Sequence, residues 1–234
     1  MTGWPSTRCG GGEYMERMSR MSRMSRLLGI DAGFAKMGVV IVELGDVGNG
    51  DPASRQILFA ETCRTEPTPR KRGVRVADDD AERCQKLARF LIDTIRIHQP
   101  AGAVVELPSG GAQGARANRA MGMATGIVVA VLEMAELPVE WVTPGDVKLA
   151  ATGRRDGSKD AVQDAVREAF DWEEGGHGDK GRGGESRSHW PRYKWAQEHV
   201  ADAAAAVLAA EGGTLMRALE RVSEMREETQ GVAG

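Results

Sequence analysis

The sequence is poor in cysteine: Cys9, Cys63 and Cys84 are the only three in 234 residues, and no two form a Cys-x-x-Cys pair. That excludes a cysteine-built zinc site, and the odd, scattered set suggests reduced thiols and a cytoplasmic setting. Long apolar runs are missing too. None approaches the ~20 residues a membrane span needs, and the first residues lack the apolar stretch of a signal peptide. Charge of one sign is also absent. The 31 Lys and Arg stand against 34 Asp and Glu, a net charge of −3. A strongly basic nucleic-acid binder is therefore not visible in the total, although local patches stay open. What is present, 41% hydrophobic and 28% charged residues, fits one globular domain with a real core.

Residues 1–26 read as a tail. Gly10-Gly11-Gly12 is a flexible spacer, and Met-Ser-Arg occurs three times between positions 18 and 26. Five arginines and two glutamates give this tail a net charge of +3, so it is either a plain extension or a basic arm that touches phosphates. Order is expected from Leu27. Leu27–Asp31, Val39–Leu44 and Gln56–Thr62 form an antiparallel meander, with Gly33 and Gly38 bracketing the first turn. A helix follows Asp78-Asp79-Asp80, whose charges favour a helix N-terminus. Then come a strand ending on Glu106, a Gly-rich loop and a long helix over about 115–135. After the strand Val139–Val142, Thr143-Pro144 opens a short helix and Ser158 another. Residues 173–190 form a Gly-rich charged loop, Tyr193–Ala210 an alanine-rich helix and Leu215–Glu228 a last helix. This order predicts an α/β domain over 27–212, with a helix and tail over 213–234. Its five-stranded mixed sheet combines a three-strand antiparallel meander with two parallel strands, flanked by helices.

Asp31 ends the first strand and Glu106 the fourth, and such strand ends line the working crevice of α/β sheets. His199 and Asp202, three residues apart on the alanine-rich helix, share one face. Three carboxylates brought together repel one another unless a cation neutralises them. With an imidazole they make a donor set for a divalent metal, Mg²⁺ or Mn²⁺.

Four segments carry a resemblance to a known family. Leu28-Gly29-Ile30-Asp31-Ala32-Gly33 with Gly38, and Val104-Val105-Glu106, resemble RuvC-type Holliday junction resolvases of the RNase H-like superfamily. So do Trp141-Val142-Thr143-Pro144-Gly145-Asp146-Val147-Lys148 continuing through Ser158-Lys159-Asp160-Ala161-Val162, and His199-Val200-Ala201-Asp202-Ala203-Ala204-Ala205. The resemblance spans about residues 27–210 and implies an RNase H-like fold. It implies that Asp31, Glu106, His199 and Asp202 hold two Mg²⁺ ions, with Mn²⁺ as substitute; some members have Asp at the place of His199. Lys148 and Lys159 match lysines near the scissile phosphate. The implied activity is paired hydrolysis of four-way DNA junctions, leaving 5′-phosphate and 3′-hydroxyl ends. Lys148, Arg154, Arg155, Lys159, Arg116, Arg119 and Arg72 are the expected DNA contacts, in the cytoplasm of a bacterium or phage-infected host.

The chain also departs from the family. Ala32 replaces a usual Pro and Met37 a common Thr. The loop Leu107-Pro108-Ser109-Gly110-Gly111 lacks the aromatic that wedges the junction centre in many members. The 173–190 loop looks long. Lys180, Arg182, Arg187, His189 and Trp190, with Arg192 and Tyr193 just beyond it, suit either DNA contact or a plain insertion. His177 and His189 have no cysteine partner for zinc. Gly114, Gly122 and Gly126 puncture the long helix, which implies a close neighbour, either the sheet or a second subunit; the family resemblance implies a homodimer. A DNA-binding structural protein with a relic site is a third rival, which the complete acidic set argues against, and two alternatives remain at this point. One is a related metal nuclease for flap or packaging DNA. The other is an actin- or sugar-kinase-like ATP-binding protein, which shares the Gly-Ile-Asp-x-Gly opening.

Overall fold

The computed structural model describes residues 25–44, 55–68, 75–107, 114–172, 191 and 194–231. The expected N-terminal arm up to residue 24, the loop 173–190 and Arg72 lie outside the described residues. The first strand, β1 (Ser25–Asp31), starts two residues before the apolar pattern does. Arg26 belongs to it rather than to a tail, because its guanidinium bonds Glu43 on the next strand at 3.1 Å and reaches the carbonyl of His98.

Strand β2 (Lys36–Leu44) pairs antiparallel with β1, and β3 (Arg55–Arg64) antiparallel with β2. Strands β4 (Gly102–Glu106) and β5 (Val139–Val142) extend the other side in parallel, giving the order β3-β2-β1-β4-β5. This is the mixed sheet expected from the order of elements. Alternate side chains point to opposite faces. Leu28, Ile30, Val39, Ile41 and Val105 face Leu87 and Leu91 of α1 (Val76–His98) and Val128 and Leu132 of α2 (Ala115–Met134). Leu27, Val40, Val42 and Val104 face the other layer. That layer comprises α3 (Pro144–Thr152), α4 (Lys159–Ala169), α5 (Lys194–Ala209) and α6 (Thr214–Gly231). Each such side chain, fully buried, contributes roughly 1.5–3 kcal/mol.

The alanine run of α5 has a geometric cause. A Cβ at Gly29 would stand 2.3 Å from the carbonyl oxygen of Ala203, and one at Gly38 2.0 Å from that of His199. The helix backbone therefore rests almost directly on the sheet, and Ala201 and Ala203–Ala206 are fully buried against it. Gly38 is accordingly not a turn residue, as the sequence pattern suggests, but a member of β2 that makes room for α5.

Helix α3 starts at the expected place. Thr143 and Asp146 form a reciprocal capping box, and Ser158 caps α4. On α2, the space beyond Gly122 and Gly126 is open to 4 Å, so the sheet is not the neighbour these glycines serve. Among the described residues, no helix is long and apolar enough to cross a membrane.

Candidate active site

Asp31 and Glu106 end adjacent parallel strands and are register partners, so their backbones lie one strand spacing, about 4.8 Å, apart. On its other side Asp31 faces Gly38. With no side chain there, α5 settles against β2, and His199 Nδ1 comes 2.6 Å from Oδ2 of Asp31, with the ring nitrogen donating to the carboxylate. Thr62 on β3 donates to the carbonyl of Ala196 at 3.1 Å, which pins the first turn of α5 over the same sheet end. Asp202 follows one turn later. The four residues expected to share the site are thus delivered to one place by two strand ends and one helix.

Their electrostatics are those of crowded, half-buried acids. Burial pushes the Glu106 carboxyl up to about 8, and the neighbouring charges of Asp31 and Asp202 add to that; Lys148 and Lys159 oppose it. Asp202 rises to about 7, again chiefly through burial, then through Asp31 and Glu198, against His199 and Lys159. One oxygen of Glu106, Oε2, is buried without a hydrogen-bond partner. An unpartnered buried carboxylate oxygen carries a desolvation cost, and a cation bound beside it would offset that cost. The set of three carboxylates and an imidazole therefore fits a divalent cation by its chemistry. Among the described residues, however, no three such groups are already drawn together as a ready ligand set. Asp31 and His199 instead bond each other.

Lys148 on α3 and Lys159 at the start of α4 both act on Glu106 electrostatically, which puts both cations on the acidic centre. Lys159 also pairs with Glu198, the residue before His199. This contact holds the lysine's proton more firmly and lowers the glutamate. Glu198 was not legible as a site residue; its only sequence signal is its place next to His199. Among the expected DNA contacts, Arg154 lies along Asp156 through two 3.0 Å bonds, and Arg155 pairs with Asp146 at 3.0 Å. Arg119 pairs with Asp80 and clasps α2 to α1. Arg116 is exposed in the first turn of α2.

No family model matches the chain. A curated relative, the crossover junction endodeoxyribonuclease RuvC of Synechococcus sp. (strain CC9311), is 30% identical over 140 residues, covering 60% of this chain and 81% of the relative. The chain belongs to the RuvC family. Two solved RuvC structures from Thermus thermophilus share the RNase H-like architecture at 22% identity, each covering 80% of this chain and 93% of its own. The TM-score is 0.58 for RuvC by itself and 0.59 for RuvC in complex with a Holliday junction substrate. Membership of the RuvC family sets aside the kinase-like alternative. It also gives the paired carboxylates a context, since RuvC-type resolvases depend on divalent metal.

Proposed function

We infer that this chain is a Holliday junction resolvase, a crossover junction endodeoxyribonuclease that cuts paired strands of a four-way DNA junction by phosphodiester hydrolysis. The observation that carries this reading is the trio Asp31, Glu106 and Asp202 at one sheet end, two of its members held far above the usual carboxylate range. Asp31, Glu106, His199 and Asp202 would hold Mg²⁺, or Mn²⁺ in its place, two ions per site. When bound, the divalent ions supply Lewis-acid stabilisation and a water activated at neutral pH. Binding requires Glu106 and Asp202 to release their protons, so cation and proton compete for the same oxygens. Lys148 and Lys159 bring positive charge to the phosphate as negative charge develops on it. Lys159 must exchange Glu198 for a phosphate oxygen, a carboxylate standing in the meantime for the substrate's anion.

A four-way junction is cut symmetrically, which calls for two sites. The outward face of α2 supports a homodimer: Gly122 and Gly126 face open space, and Val129 is exposed beside them. The setting we assign is the cytoplasm, in keeping with the free thiols of Cys63 and Cys84.

The deciding experiment is cleavage of a synthetic four-way junction beside matched flap and duplex substrates, with Mg²⁺, Mn²⁺ or EDTA. Paired cuts in the junction with either ion, and none with EDTA, are expected. Equal cutting of flap and junction would move the reading to a general branched-DNA nuclease.

A further inference from the structure

The loop that follows Asp31 has a second side. Phe34, three residues on, is buried, and the guanidinium of Arg83 on α1 stacks over its ring at 4.3 Å. Thr65, just past the end of β3, donates its hydroxyl to the Phe34 carbonyl at 2.6 Å, and its backbone N–H bonds the Ala35 carbonyl at 2.8 Å. Arg83 Nε donates in turn to the Thr65 hydroxyl at 3.1 Å. Thr65 and Arg83 of this seam line a cleft of about 650 Å³ between the end of β3 and the first half of α1. None of the six expected catalytic residues, Lys148 and Lys159 included, lines it. The cleft is a separate feature, joined to the loop after Asp31 only through Thr65 and Arg83, which line the cleft and touch Phe34 and Ala35.

Its lining is polar and rich in cations: Arg64, Arg83, Lys86 and Arg89, set against Glu66, Asp79 and Glu82. The carboxylates are largely engaged. Asp79 accepts the Thr68 backbone N–H at 2.7 Å, and Glu66 pairs with Arg64. Lys86 donates to the Arg64 carbonyl at 2.8 Å, an uncharged partner, with Glu82 one turn before it on α1. Lys86 and Arg89 are both exposed and stand three residues apart on α1, on one face. Arg83, by contrast, is nearly buried and fixed by its ring and hydroxyl contacts and by the Asp80 carboxylate at 3.9 Å, so its orientation is set in advance.

Location gives this cleft its meaning. The ends of β1, β2 and β3 lie in register, Asp31 against Gly38 and Gly38 against Thr62, so β3 ends two strand spacings, roughly 10 Å, from Asp31. A nucleic-acid strand lying at Asp31 that passes over the sheet end, from the α5 side to the α1 side, would reach the cleft within a few nucleotides. We propose that the cleft seats the phosphate backbone of the strand flanking the cut site, with Lys86 and Arg89 as phosphate contacts and Arg83 as the fixed cation in its lining. This rests on the junction-resolvase reading and adds a strand path to it.

The test measures binding of a synthetic four-way junction by the full chain in EDTA across a salt series. Lys86→Ala, Arg89→Ala and the double substitution are compared with Arg96→Ala. Arg96 is exposed on the same helix, two turns or about 10 Å beyond Arg89, and outside the cleft lining. The double variant should bind about tenfold more weakly, and its slope of log K against log salt should be shallower by about 2. Arg96→Ala should match the unmodified chain. Unchanged affinity and slope in the double variant overturn the proposal, and so does an equal loss in Arg96→Ala, which would mark a diffuse charge effect. Cutting of the same junction by the unmodified chain with Mg²⁺ is followed in parallel. If it cuts while the double variant binds normally, only the cleft assignment fails. If it neither binds nor cuts, the resolvase reading fails and the strand path with it.

Discussion

Glu106 sets the behaviour of the site at the scale of single residues. Its carboxyl is raised to about 8 by burial and by Asp31 and Asp202. The folded state therefore prefers the protonated form more strongly than the unfolded chain does. The stability linked to that proton is fully present below the ordinary carboxylate value near 4.5 and is lost as pH rises through about 8. Glu106→Gln keeps the neutral form at every pH. Without divalent ions, the variant should be more stable than the parent at pH 8.5 by up to about 4 kcal/mol, or roughly 8–16 °C in Tm, and nearly equal at pH 4.5. Mg²⁺ should raise the parent's Tm at pH 8.5 and the variant's much less. Equal melting of the two proteins across this pH range would show that Glu106 is not strained by its surroundings.

Lys159 gives the complementary residue-scale prediction. Its pair with Glu198 is largely exposed, and such pairs contribute at most ~1 kcal/mol. Lys159→Ala should leave Tm within a few degrees but lower kcat for junction cutting by roughly 10²–10³-fold, the usual cost of losing one preorganised charge at a phosphoryl centre. Asp31→Asn should abolish cutting while junction binding persists, as gel-shift titration would show; residual cutting near the parent rate would remove Asp31 from the site.

At the scale of elements, the contact between α5 and the sheet governs whether the site exists. Gly38→Ala places a Cβ against the His199 carbonyl, a backbone atom that cannot rotate away. The helix must move, which costs about 1–3 kcal/mol and takes His199 from Asp31. Loss of cutting with a lower melting temperature is expected; a variant that melts and cuts like the parent would refute the close-approach role. This contact also marks where sequence reading stops. The strands were legible because Val39–Leu44 and Val104-Val105 are apolar runs bounded by turn residues, and α3 because Thr143-Pro144 carries its cap. Asp31 and Glu106 stood out as candidates because each ends a strand, and His199 and Asp202 because they stand three residues apart on one helix. Gly38 was misread because a glycine near a turn and a glycine beneath a helix look alike in one dimension. Glu198 and the Arg83–Phe34–Thr65 seam were invisible for a related reason. Their partners lie 39, 49 and 31 positions away in the chain, joined only when α1, α4 and α5 pack on the sheet.

At the scale of the whole molecule, the net charge of −3 is an average over unlike surfaces. The acids at the Asp31–Glu106 sheet end would be neutralised by bound cations, whereas Lys86, Arg89 and Arg116 meet solvent on the α1–α2 side. Paired cutting asks more of the molecule than charge, because two sites must act on one junction. The outward glycines of α2 give a way to separate protomer from assembly. Gly122 and Gly126 have open space beyond them within the chain, so lysine at both positions should not disturb the protomer. Replacing helix-interior glycine should even stabilise it by up to ~1 kcal/mol per site. A helix-packed dimer, by contrast, would lose its close approach. Light scattering should find twice the protomer mass of 25.1 kDa for the parent and the single mass for Gly122→Lys/Gly126→Lys. The monomeric variant should release singly nicked junctions, because its two cuts are no longer made within one complex. A variant that keeps the double mass would move the subunit contact away from α2, and paired cutting would then need another symmetric surface.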